Sequence, residues 1–198
     1  MPKYLLILPI VIFSNCFFGL MTTAETLPKN ALEGSFYIRG TGAWADHNPV
    51  GFAYPCISIR RGLGKKVEGH IDGIFPFGGG QVGIKYQLLS DQGLRPAVAV
   101  GAILVAPGII PAAFGIRQII SKKITFFSLY SGVDEIFPPD FNFYVGARLP
   151  IRPRHSLHLE FNYQYFYTFW AIYEPPQWEK CYWFSAGMNI LVPWGSRD

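Results

Sequence analysis

Apolar and polar residues alternate through most of the chain, most clearly between Ser156 and Trp170. There Leu157, Leu159, Phe161, Tyr163, Tyr165, Tyr167 and Phe169 fall on one face, and His158, Glu160, Asn162, Gln164, Phe166 and Thr168 on the other. A strand separates odd from even positions in this way, whereas a helix would scatter them around its circumference. The same split sets Val67, Gly69, Ile71 and Phe75 against Glu68, His70 and Asp72, and Val82, Ile84, Tyr86 and Leu88 against Gln81, Lys85 and Gln87. It returns with Phe141, Phe143, Val145, Ala147 and Leu149 against Asn142, Tyr144 and Arg148. The last run sets Tyr182, Phe184, Ala186, Met188, Ile190 and Val192 against Ser185 and Asn189.

Turn-forming residues punctuate the pattern at 46–49, 62–66, 76–80, 91–95, 133–140, 150–155 and 171–180. The intervening strands are about ten residues long, the length a tilted strand needs to cross a hydrocarbon core. The stretch from Pro96 to Ile116 carries no charge over 21 residues. Pro107 and Pro111, with Gly101, Gly108 and Gly115, would break a helix there but suit two strands, 97–106 and 112–120, joined by a Pro-Gly turn. Including the second strand brings the count to ten, an even number as single-chain bacterial barrels require. An eight-stranded barrel with a short amphipathic helix at 112–122 is the alternative. The fold expected is all-β: a closed antiparallel up-and-down transmembrane barrel.

The N-terminus reads as a targeting segment. Lys3 precedes an uncharged apolar run from Tyr4 to Leu20, and Thr22-Thr23-Ala24 supplies the small residues a signal peptidase needs, so cleavage is expected after Ala24. The domain plan is then a signal peptide at 1–24, a short leader at 25–32, a barrel at 33–194 and a tail at 195–198. Of the 198 residues, 50% are hydrophobic and 15% charged, which excludes a disordered chain or a coiled coil. Removal of Lys3 with the signal leaves 16 basic residues against 13 acidic, an excess too small to suggest nucleic acid. Cys56 and Cys181 remain in an exported chain where a disulfide is permitted, but the strand layout puts the first strand between them, and the question stays open.

These features resemble the small outer-membrane β-barrels of Gram-negative-type bacteria, of the OmpA-like and opacity-protein kind. The resemblance rests on the N-terminal segment, the repeated alternation and the final strand from Tyr182 to Val192 ending near Trp194. It implies a bacterial outer-membrane location.

With the apolar face outward, the inward face holds Arg39, Lys85 and Arg148 against Glu68, Asp72 and Glu160, a balanced set, together with His70 and His158. Such a set is expected to pair across a narrow lumen, because unpaired buried charge is costly. Eight or ten strands leave no wide channel. The function expected is structural or surface-interacting, with a plugged polar lumen. The alternatives are a barrel that binds or transports a small ligand, and a lipid-modifying hydrolase. For the last, His158 with Glu160, or His70 with Asp72, would combine with Ser185. No catalytic residue is assigned, and no metal-ligand spacing, nucleotide fingerprint or cofactor motif appears. The partners expected are outer-membrane lipids, and an extracellular molecule met through the loops 133–140 and 171–180, with the protein a monomer. An aromatic girdle is expected from Trp44, Phe52, Tyr54, Phe75, Tyr130, Phe141, Tyr167, Phe169, Trp170 and Tyr182. Bases gather at one rim (Arg60, Arg61, Lys65, Lys66, Arg95, Lys122, Lys123, Arg152 and Arg154) and acids, Asp134 among them, at the other.

Overall fold

Ten strands account for the alternation: β1 (Ala31–Ala45), β2 (Asn48–Gly62), β3 (Val67–Ile74), β4 (Gly80–Leu89), β5 (Ala97–Ala106), β6 (Ala113–Ile124), β7 (Phe127–Phe137), β8 (Asp140–Arg152), β9 (His155–Tyr167) and β10 (Trp178–Pro193). The computed structural model describes residues 22–45, 48–74, 80–106, 113–137, 140–167 and 178–193. Within these, the side chains of 41–45, 48–52, 74, 166, 167, 178, 179, 181 and 193 lie outside the description. Phe75, Phe169, Trp170, the proposed signal sequence up to residue 21 and the tail at 195–198 also fall outside it.

Each strand pairs antiparallel with its neighbours in sequence, and β1 closes on β10 from Ala31↔Pro193 to Ala43↔Cys181. The sheet therefore has no open edge, which satisfies the backbone everywhere along the wall. The uncharged stretch that raised the question of a helix forms β5 and β6, paired from Ala97↔Ser121 to Val105↔Ala113. No helix among the described residues is long and apolar enough to cross a membrane.

The two faces separate as period two demands. Phe36, Ile71, Phe143, Val145, Phe184 and Ile190 stand exposed on the outside, while Glu33, Arg60, Lys85, Arg117, His158 and Glu160 are buried inside. An apolar exterior around a polar interior inverts the ordering of a water-soluble barrel and is the pattern of a lipid-facing one. The interior also has apolar patches. Tyr37, Tyr54, Cys56, Ile103, Val105 and Ile136 form one, and Ala97, Ala99, Ile119, Tyr130 and Tyr144, with Ala24 of the N-terminal segment, form another. Tyr130 and Tyr144 fit because each stands opposite a glycine, Gly146 and Gly132, where a β-carbon would come within 2.3 Å of the tyrosine ring or hydroxyl.

Several expectations are corrected. Tyr54 and Tyr130 are not girdle residues: both are 2% exposed and face the lumen, having the parity of the inward positions. Arg60 is not at a basic rim but buried, and Asp134 is not in a surface loop but inside, because β7 runs on to Phe137 and absorbs most of the loop expected at 133–140. The strand expected to end at 120 runs on to Ile124, with the turn at 125–126. Lys122 and Lys123 are still strand residues, paired with Leu129 and Ser128. Cys56 is a buried free thiol opposite Tyr37, whereas Cys181 stands opposite Ala43, six residues further along β1.

Candidate functional site

The inner wall gathers charge from eight of the ten strands. Seven of the residues expected there (Arg39, Glu68, His70, Asp72, Lys85, His158 and Glu160) are no more than 6% exposed, and Arg148 is half-buried. Among these eight, Lys85 pairs with Glu68 at 3.0 Å.

Most of the other partners come from residues the sequence reading left out. Glu33 on β1 receives Arg60 from the adjacent strand, Arg148 from β8 at 2.8 Å and the Asn189 amide from β10 at 2.6 Å. Arg60 also approaches Glu68, at 3.7 Å. The result is a relay of alternating sign, Arg148–Glu33–Arg60–Glu68–Lys85, running from β8 to β4. Arg148 lies three strands away from Glu33 around the wall, so the relay crosses the lumen instead of following its surface.

A second unit is the bidentate pair of Arg117 with Asp134, at 2.7 and 2.6 Å, with Arg117 also 3.3 Å from His70 Nε2. Bidentate guanidinium–carboxylate geometry is the strongest form such a pair takes. Asp72 accepts from Gln81 at 2.9 Å, and Glu160 accepts from Tyr130 at 3.1 Å and from Asn162 at 2.9 Å. Arg39 donates to Ser185 at 3.1 Å and lies 5.7 Å from the centre of the Tyr37 ring. With the residues left out included, five cations (Arg39, Arg60, Lys85, Arg117 and Arg148) face five carboxylates (Glu33, Glu68, Asp72, Asp134 and Glu160).

The segment before β1 enters this network. Thr22, Thr23, Ala24 and Leu27 are buried. Lys85 Nζ donates to Thr22 Oγ1 at 3.1 Å, to the Thr23 carbonyl at 2.9 Å and to the Glu25 carbonyl at 3.0 Å. The Leu27 N–H donates to Glu68 at 2.9 Å, the Ala24 N–H to Ser121 at 3.0 Å, and Thr26 to Gln87. Backbone carbonyls thus absorb the one cation by which the five-membered relay exceeds its two carboxylates. Gly62 lets the segment pass: a β-carbon there would lie 2.0 Å from the Pro28 carbonyl oxygen. Cleavage after Ala24 would remove the contacts of Thr22, Thr23 and Ala24 and keep those of Glu25, Thr26 and Leu27. This lodging of residues 22–30 had no signature in the alternation, since the segment is not a strand.

The candidate hydrolase residues are not joined to one another. Neither ring nitrogen of His158 has a hydrogen-bond partner, His70 meets Arg117, and Ser185 accepts from Arg39, so no serine–histidine–acid chain runs through them. Among the described residues no cluster of three or more His, Cys, Asp or Glu has the geometry to hold a metal ion.

No protein family matches the sequence, and no curated protein is similar to it. Similar solved structures exist. The COG4313 outer membrane channel from Pseudomonas putida F1 aligns with a TM-score of 0.51 at 9% identity, covering 85% of this chain and 98% of its own. The outer membrane protein OprG from Pseudomonas aeruginosa gives 0.39 at 6% identity, over 86% and 99%. Neisserial surface protein A gives 0.35 at 10% identity, over 84% and 100%. The first of these likenesses, together with the apolar exterior and the closed ten-stranded sheet, gives this chain the fold of a bacterial outer-membrane β-barrel.

Proposed function

We propose that the protein is an outer-membrane barrel of structural or surface-interaction type, its lumen plugged by its own charges and by residues 25–30, which remain after cleavage at Ala24, with no wide pore and no catalytic activity. The observation that carries this reading is the relay from Arg148 to Lys85, which crosses the lumen and at its Lys85 end grips the backbone of the N-terminal segment. A ten-stranded barrel is already narrow, and cross-lumen pairs occupy the remaining width. The rim bearing the connections 75–79, 107–112 and 168–177 is then the surface-facing one. Within the outer-membrane class, the OmpA-like and opacity-protein subtype rests on the sequence resemblance.

Planar-bilayer recording tests the plug. The protein with Lys85 intact is expected to give no large, stable conductance steps, and a wide pore in that protein would overturn the reading. The likeness to an outer membrane channel favours a second reading, a path opened when residues 25–30 withdraw. On that reading Lys85→Met, which frees the Glu25 carbonyl, would raise conductance in steps the original protein lacks.

A further inference from the structure

The rim opposite the long connections has a repeated composition that the lumen does not explain. Each of its four turns pairs a large exposed apolar side chain with exposed cations. The first turn carries Leu63 beside Lys65 and Lys66, and the second carries Leu94 beside Arg95, with Leu94 99% exposed. The third carries Phe126, 68% exposed, beside Lys123, and the fourth Ile151 beside Arg152 and Arg154. The acids of the described rim are few. Asp91 is engaged by Lys122 Nζ and by the Lys123 N–H, contacts that hold its carboxyl below the usual carboxylate value, and Glu25 is the other.

We propose that this rim binds anionic phospholipid, each turn sinking its apolar side chain among the headgroups and holding a cation at the level of the phosphates. The proposal rests on the membrane reading above and names the lipid class this rim selects. Three features favour a lipid surface over an acidic protein. The apolar-plus-cation pair occurs on all four turns, so it rings the barrel and does not form one patch. It continues the lipid-facing belt: the Leu63 side chain lies against the outer face of β3, 3.2 Å from where a Gly69 β-carbon would stand. Its charge is also predominantly positive, because the Asp91 carboxylate is already paired with Lys122 at the end of β6 and Glu25 is the other acid of the described rim. A cation near an anionic membrane surface strengthens binding about fivefold, and an apolar side chain beside it adds a contact that salt does not screen.

The test uses the full chain refolded into phosphatidylcholine vesicles with and without phosphatidylglycerol. Insertion is read by the gel-mobility shift on heating, and lipid preference by the lipids retained in native mass spectrometry. The original protein is expected to insert in both and to retain phosphatidylglycerol over phosphatidylcholine by at least about fivefold. A Lys65→Gln/Lys66→Gln/Arg95→Gln/Lys123→Gln/Arg152→Gln/Arg154→Gln variant should insert equally and lose that preference. A Leu94→Ser/Phe126→Ser variant should keep it at low salt and lose retention at high salt. Equal retention of the two lipids by the original protein, or a preference unchanged in the charge variant, would overturn the proposal while leaving the membrane reading intact. Failure to insert into either vesicle would overturn both.

Discussion

Glu33 shows what one residue contributes to this interior. A single buried carboxylate accepts from two guanidinium groups and an amide drawn from three different strands. Glu33→Gln would take from the buried Arg60 and the half-buried Arg148 the carboxylate that both bond, leaving Glu68, 3.7 Å from Arg60, as the acid of the relay. Breaking a buried pair by removing one partner costs about 3–5 kcal/mol. A shift of that size in the urea midpoint of the micelle-refolded protein is therefore expected, and part of it should return in Glu33→Met/Arg60→Met, where one orphan cation is gone too. A shift below about 1 kcal/mol would mean that the relay is solvated like a surface pair. The inward residues of β3, β4 and β9 were legible because they sit between apolar neighbours that define the faces. Glu33, Arg60, Arg117 and Asp134 were not. Arg60 is followed by Arg61, and Asp134 by Glu135, and two adjacent charges read as a turn when one of the pair points into a polar lumen.

At the scale of elements, the alternation carried most of the fold, because lipid on one side and charge on the other impose period two along the whole strand. Even β5, which lacks charge, was legible, since Pro107 and Pro111 bar a helix and Ala97–Ala106 is the strand found. Strand ends were less so. Polar rim residues such as Lys122 extend a strand beyond its apolar part, and they look like turn residues until the pairing with β7 is known. The face assignment itself can be tested on β9, where Phe161 is 44% exposed on the outer wall and packs near Tyr182, with ring centres 6.1 Å apart. Phe161→Arg is expected to cost about 2–4 kcal/mol in a lipid bilayer, whereas Phe161→Leu, which stays apolar, should cost far less. Equal effects in urea titrations of vesicle-inserted protein would mean that position 161 does not face lipid.

For the whole molecule, the hydrogen bonds of the interior do not all close among the described residues. His158 has both ring nitrogens without a partner, Gln164 both amide atoms, Trp183 its indole nitrogen and Asn142 its carbonyl oxygen, and all four side chains are no more than 3% exposed. They lie on adjacent strands, with Gln164 opposite Asn142 in the pairing of β9 with β8. Left dry, each such group costs about 1–3 kcal/mol, and together they would consume much of a stability of about 5–15 kcal/mol. A hydrated seam along β8, β9 and β10, beside the charge relay that joins β8 to β1–β4, would satisfy them. Ordered water of this kind would bridge the polar groups without requiring a pore. Nuclear Overhauser contacts between water and the ring protons of His158 and Trp183 are therefore expected in the micelle-refolded protein, at positions the bulk solvent does not reach directly. Protons at both rings that show no water contact would mean a dry seam, and the polar wall of β8–β10 would then have to be balanced by side-chain pairs in a packing different from this one.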